Sequence, residues 1–270
     1  MAPDAVALRR YLRTPKGLFT VILGVLTVIA GTHAGWTLVA PGLLSALLAA
    51  VLVDAPLLRW RRGAWEFPDG ALLTGWIVAL ILSPHEPWPV VAATSAVGVV
   101  SKHAFRVGRA NIFNPAALAL VATFYVFDTG QSWWGALPEL PIGGILVLLA
   151  TGIYVTWWMN KAPVVLSFLG TYYLLSTVWA FAGDPAKVAE LYRAPDLHAA
   201  LFFAFFMVTD PPTSPPKHRE QLTYGGLTAV VGFGVFELVG AAYFLLAGLL
   251  VANAWEGWRK HQLRRPVVTA

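Results

Sequence analysis

Residues 70–89, GALLTGWIVALILSPHEPWP, and residues 198–216, HAALFFAFFMVTDPPTSPP, follow one plan. Each opens on small residues, runs through a short apolar helix and leaves by a polar, multi-proline exit. The apolar parts, 71–82 and 197–208, would rise only about 18 Å as α-helix, against a hydrocarbon core of about 30 Å. The exits, Ser83-Pro84-His85-Glu86-Pro87-Trp88-Pro89 and Asp210-Pro211-Pro212-Thr213-Ser214-Pro215-Pro216, would then complete a crossing as extended chain. Irregular backbone survives at membrane depth only where it is buried in protein or lines a cavity, so these two stretches predict broken helices inside a helical bundle.

The rest of the chain supports a membrane setting. Of 270 residues, 57% are hydrophobic and only 12% charged, about half the charge of a soluble globular protein. Apolar runs stand at about 17–34, 37–58, 71–82, 88–105, 112–127, 140–159, 162–182, 197–209, 221–239 and 241–257. The first follows Arg9, Arg10, Arg13 and Lys16, is long for a signal peptide and lacks a clear cleavage site, so it reads as a transmembrane helix. Ten segments leave no room for a soluble domain, and residues 1–270 read as a single polytopic membrane domain. The short segments are third of the first five and third of the second five. An odd number of crossings per half turns the second half over, which predicts an inverted repeat, about 17–127 and about 140–257.

If every segment crosses and the N-terminus is cytoplasmic, the inner stretches are 1–16, 59–70, 102–111, 160–161, 210–220 and 258–270. All lysines and arginines except Lys187 and Arg193 then lie inside, and both termini are cytoplasmic. The formal net charge of +5 is accounted for by topology, so it does not point to nucleic acid as a partner; the partner that composition specifies is the bilayer. Twelve tryptophans suit two interfacial belts, with Trp133-Trp134 and Trp157-Trp158 as anchors. Zero cysteines exclude a thiol nucleophile, a disulfide and an iron–sulfur cluster on the chain's own cysteine ligands.

Ionisable residues within apolar segments default to functional hypotheses. Asp210 ends the eighth segment, where freed carbonyls form the negative end of the helix dipole; a carboxylate there requires a cation, a proton or a donor. Thr209, Thr213 and Ser214 offer hydroxyl oxygens beside it. The plain alternative is that Asp210 caps a turn before two prolines. A second cluster, Asn111-Ile112-Phe113-Asn114-Pro115-Ala116, carries two amides suited to the edge of a heterocycle and one stacking face. Its plain alternative is a helix start with Asn114 as N-cap and Pro115 at N1. Asp54 and Glu237 stand near segment ends, on an ion path or simply at the interface. The six histidines show no metal-site spacing, and no metal is expected.

Asn111-Ile112-Phe113-Asn114-Pro115-Ala116, then Phe206-Met207-Val208-Thr209-Asp210-Pro211-Pro212-Thr213-Ser214-Pro215, with Ala71-Leu72-Leu73-Thr74-Gly75 upstream, resemble the RnfD/NqrB family over nearly the whole chain. The resemblance implies ten helices in two inverted halves, similar to urea transporters. It also implies flavin-linked electron transfer coupled to sodium or proton movement, among other membrane subunits of a complex in the bacterial inner membrane. Carried onto this chain, it implies that Asn111, Phe113 and Asn114 hold a non-covalent flavin, riboflavin or FMN, with Thr209 and Asp210 nearby. The ion path would run by Asp210, Thr213, Ser214, Asp69 and Glu237.

Two departures stand out. Relatives attach FMN to a threonine of a long outer loop between the fifth and sixth helices; here that connection is only residues 128–139, with Thr129 but no attachment motif, so no covalent FMN is expected. The acidic residue expected three before Ala71 is replaced by Pro68, with Asp69 one place later. A transporter on the same fold, or a membrane partner that docks a separate flavoprotein, are the competing expectations.

Overall fold

The computed structural model describes residues 10–108, 110–183 and 186–263. Arg9, the side chain of Lys187 and the last seven residues, which entered the sidedness argument, lie outside the described residues. Among the described residues, ten helices follow the ten apolar runs: α1 (Pro15–Ala34), α2 (Trp36–Arg62), α3 (Asp69–Ile81), α4 (Trp88–Ala104), α5 (Pro115–Phe127), α6 (Pro141–Trp158), α7 (Ala162–Ala182), α8 (Asp196–Phe202, continued by Phe203–Met207), α9 (His218–Val239) and α10 (Phe244–Leu263). Between them lie a two-residue hairpin, β1 (Arg106–Val107) with β2 (Ala110–Asn111), and a six-residue helix, Ala186–Leu191. Local chemistry sets several starts. Thr14 caps α1 by accepting from Gly17 N at 3.1 Å, with Pro15 opening the helix; Asn114 and Pro115 repeat the arrangement at α5.

Five of these helices, α1, α2, α6, α7 and α9, are long and apolar enough to cross a membrane. Between 22% and 44% of their apolar windows is buried in the protein, so most of each faces outward. Leu52, Val126, Ile142, Leu166 and Leu238 are all more than two-thirds exposed, an outer surface suited to lipid rather than water. The chain is a multi-helix membrane protein.

Packing runs in parallel in the two sets of five. α2 lies along α4, the second against the fourth, and α7 lies along α9, again second against fourth. Each pair is pinned by a serine donating to a main-chain carbonyl across the interface: Ser95 Oγ to Ala46 O, and Ser167 Oγ to Leu222 O, both 2.7 Å. Close approach needs small residues, and Gly225 supplies one: a Cβ there would stand 2.4 Å from Val164 O. The fifth helices, α5 and α10, meet each other.

Beyond its first turn α8 is enclosed on every side, as a helix apolar all round must be. Every residue from His198 to Thr209 is buried. Its second part, Phe203–Met207, widens to π geometry, with Val208 N bonding Phe203 O at 3.0 Å. Phe205 fits because position 152 on α6 is glycine; a Cβ would meet its ring at 2.2 Å. One expectation is corrected here. Trp133 and Trp134 are not interfacial anchors, being 7% and 6% exposed. Trp134 Nε1 donates to Ala79 O at 2.6 Å, and Trp133 packs edge-on against Phe202 and Phe203. The broken end of α3 leaves carbonyls that need donors, and the connection after α5 supplies them.

Candidate functional site

The π segment delivers Thr209 and Asp210 to the face of the bundle that carries Lys16, Lys102, Lys161 and Lys260. Thr209 Oγ1 is spent on Phe205 O at 2.6 Å. Asp210 turns the chain: its carbonyl accepts from Ser214 N at 2.9 Å and Ser214 Oγ at 2.8 Å, and its Oδ2 accepts from Thr213 Oγ1 at 2.9 Å. Asp210 therefore caps the turn, as the plain alternative has it. Burial pushes the Asp210 carboxyl up to about 6, and the hydrogen bond from Thr213 and the charges of Lys161, Lys102 and Lys260 counter that desolvation only in part.

The structure joins the two sequence clusters through residues that spacing did not single out. Asn114 Oδ1 caps α5 by accepting from Ala117 N at 3.1 Å, and Asn114 N donates to Asn253 Oδ1 of α10 at 2.7 Å. Asn253 Nδ2 donates to Tyr224 Oη of α9, and Tyr224 interacts in turn with Thr213. A buried polar chain thus runs from Asn114 through Asn253, Tyr224 and Thr213 to Asp210. Asn114, Asn253, Tyr224 and Thr213 are all at most 4% exposed. Asn111 lies on β2 opposite Arg106, and Phe113 meets Phe105 edge-on, centroids 5.8 Å apart.

The remaining expected residues divide. Asp69, in the first turn of α3, accepts from Lys16 Nζ at 2.7 Å and shares the field of Lys102 with Asp210. Glu237, in the last turn of α9, lies towards the opposite face and accepts from Trp179 Nε1 at 2.8 Å. It is not gathered with Asp210. Asp54 does not snorkel: it is 2% exposed, with His103 Nε2 at 2.6 Å and Lys102 Nζ at 3.9 Å. No sequence interval links residues 54 and 103, so this pair was hidden until α2 lay along α4.

Beside the proline-rich exit a cavity of about 390 Å³ is lined by Lys161, Lys260, Gln221, Ser214, three prolines, Met159, Asn160 and Ala110. Lys161 Nζ donates to Pro215 O at 2.8 Å and Lys260 Nζ to Pro212 O at 3.2 Å. Burial pushes the Lys161 ammonium down to about 8, against the raising influence of Asp210. A larger cavity, about 920 Å³, opens towards the other face among His33, His85, Gln131, Glu139 and Asp196.

Comparison with known proteins settles the kinship. The NQR2, RnfD, RnfE family matches residues 8–139 and 137–256. The chain belongs to this family. Among curated proteins, the D-type subunit of the ion-translocating oxidoreductase complex of Stutzerimonas stutzeri is 38% identical over 112 residues, 40% of this chain and 31% of that protein. Its counterpart in Citrobacter koseri is 24% identical over 320 residues, 89% of this chain and 91% of that protein; that of Salmonella paratyphi A is 26% identical over 326 residues, covering 89% and 90%. Both longer alignments exceed the 270 residues present here, so these family members carry internal residues that this chain lacks. The two family matches meet at residues 137–139, in the short connection after α5. Within the family framework, Lys102, Lys161, Gln221, Tyr224 and Asn253 are the residues that sequence reasoning missed; Lys102, Lys161 and Gln221 are ordinary polar residues at helix ends, and Tyr224 and Asn253 are single polar residues inside apolar helices.

Proposed function

We propose that this chain is the D-type membrane subunit of an ion-translocating oxidoreductase complex in a bacterial inner membrane, moving electrons through flavin in step with sodium or protons. The observation that carries the reading is the buried polar chain from Asn114 to Asp210, which joins the two motifs of the family resemblance at one face. By the positive-inside rule that lysine-bearing face is cytoplasmic, as are both termini. The parallel α2–α4 and α7–α9 packing supports ten crossings in two inverted five-helix halves.

A bound flavin would supply the one- and two-electron steps for which the chain has no cysteine ligands of its own. The work of this chain is to hold and orient that group, keep water away and carry charge at Asp210. Asn111 and Phe113 remain available to a flavin beside β2, whereas the acceptors of Asn114 and the hydroxyl of Thr209 are engaged within the protein. Non-covalent retention is supported by Thr129, the one threonine of the shortened connection, which is 1% exposed and closed to a phosphoester. Other membrane subunits or a flavoprotein would deliver the electrons.

The test is the visible spectrum of the full chain purified natively. Flavin absorbance released on denaturation, with no fluorescent band in a denaturing gel, is the expected result. A colourless protein that takes up no added flavin overturns the flavin role.

A further inference from the structure

Gln221, in the first turn of α9, is 1% exposed and lines the 390 Å³ cavity. Its Nε2 donates to Asn160 O and Pro216 O, each at 3.2 Å. Both partners are main-chain carbonyls and can only accept, which fixes the amide with its nitrogen towards them. Oε1 is then buried without a partner among the described residues. A buried acceptor left unpaired is unfavourable and marks a place where a donor belongs. On the same walls, Lys161 spends one of its three N–H groups on Pro215 O, and Lys260 reaches Pro212 O and, at 3.4 Å, Glu256. The cavity therefore presents one acceptor in the company of two ammonium donors, between apolar surfaces from Met159 and the prolines.

The complement of that lining is a flat group with an N–H flanked by carbonyls. Inorganic phosphate near neutral pH carries an O–H donor, but it is tetrahedral and has no flat edge that sets one donor between two acceptors to match these walls. We propose that the cavity binds the imide edge of a ring system, the pyrimidine edge of a flavin; this rests on the flavin reading above. Gln221 Oε1 accepts the ring N–H, and Lys161 and Lys260 face the flanking carbonyl oxygens. The volume falls within the range of about 300–1,000 Å³ usual for small-molecule sites. Ala110 closes one side, next to Asn111 on β2, so the imide edge and the amide cluster belong to one binding region. The lowered Lys161 ammonium is consistent with a cation buried where an electron-rich carbonyl is expected.

The test compares riboflavin with 3-methylriboflavin, whose ring N–H is replaced by N–CH₃, in binding titrations on the purified full chain in detergent. The methyl analogue is expected to bind at least about tenfold more weakly, because a site built around a hydrogen bond rejects the analogue that lacks it. Gln221→Leu should weaken riboflavin by about the same factor and erase the discrimination. Lys161→Met should lower the midpoint potential of bound riboflavin, since a cation near the carbonyls favours the reduced, more negative ring. Equal binding of the two flavins by the unmodified chain overturns the imide-edge proposal and leaves the flavin reading standing. Failure to bind either overturns both. Discrimination that persists unchanged in a folded Gln221→Leu protein also overturns the proposal, placing the ring N–H elsewhere.

Discussion

The two broken helices, so alike in sequence, end in opposite kinds of surroundings. At the end of α3 the freed carbonyls are taken up by main-chain and indole donors of the connection after α5: Ser132 N and Trp133 N to Ile81 O, both 3.0 Å, and Trp134 Nε1 to Ala79 O. Ser83 N completes the seam by donating to Gly130 O at 2.9 Å. Among the described residues, the exit of α8 has no such strap. Its carbonyls are met by side chains from three other elements, Lys161, Lys260 and Gln221, and its carboxylate stands among lysines. One end is closed by structure, while the other is held by groups that can change charge or exchange partners. The chemistry proposed for this chain is therefore assigned to the second exit, the one whose carbonyls are met by side chains.

The largest test of that contrast exchanges a carboxylate at each exit. Asp210→Asn should reduce ion-coupled electron transfer in proteoliposomes holding the assembled complex by about tenfold or more, since a charge kept at this depth is kept for function. Glu86→Gln, which alters the carboxylate that accepts from Gly130 N at 2.7 Å in the other exit, should change it less than about twofold. Comparable losses would break the asymmetry. Next in size, Tyr224→Phe strands the buried amide of Asn253 and should cost about 1–3 kcal/mol in unfolding measurements. Trp134→Phe removes one donor of several from the end of α3 and should cost about 1 kcal/mol. A larger effect of Trp134 than of Tyr224 would reverse the ranking of the two ends.

The smallest effect is a pH slope. The Lys161 ammonium is lowered from 10.5 to about 8 in the folded protein, so between these values the unfolded chain holds a proton that the folded one has released. Stability should then rise with pH from about 8 towards 10.5, the penalty being fully present below about 8. Thermal scans across that range should show the slope in the native chain and lose it in Lys161→Met. A slope of the same size in the variant would assign it to another group.

The short apolar runs and their proline exits, legible in the sequence, turned out as α3 and α8, and the start of α5 turned out as Asn114 and Pro115 had indicated. These features are local: a run length, a cap, a ring without an N–H. The tryptophan doublet at 133–134 misled because an indole in an apolar loop suits an interface and a helix end equally, and only the position of Ala79 O decides between them. Asp54 misled for the same reason, its histidine partner standing 49 residues away.

By itself the sequence determined that this chain lives in a membrane, where its helices run, that two of them break, and which family it resembles, because apolar length, charge placement and proline act within a few residues. Tertiary structure alone decided which exit is strapped by a neighbouring connection and which is met by side chains. It brought Asn114, Asn253, Tyr224, Thr213 and Asp210 into one chain and gathered Lys161, Lys260 and Gln221 around one cavity. Those groupings depend on hydrogen bonds between helices distant in sequence, and such bonds form only once the packing of α5, α7, α9 and α10 has fixed where each donor points.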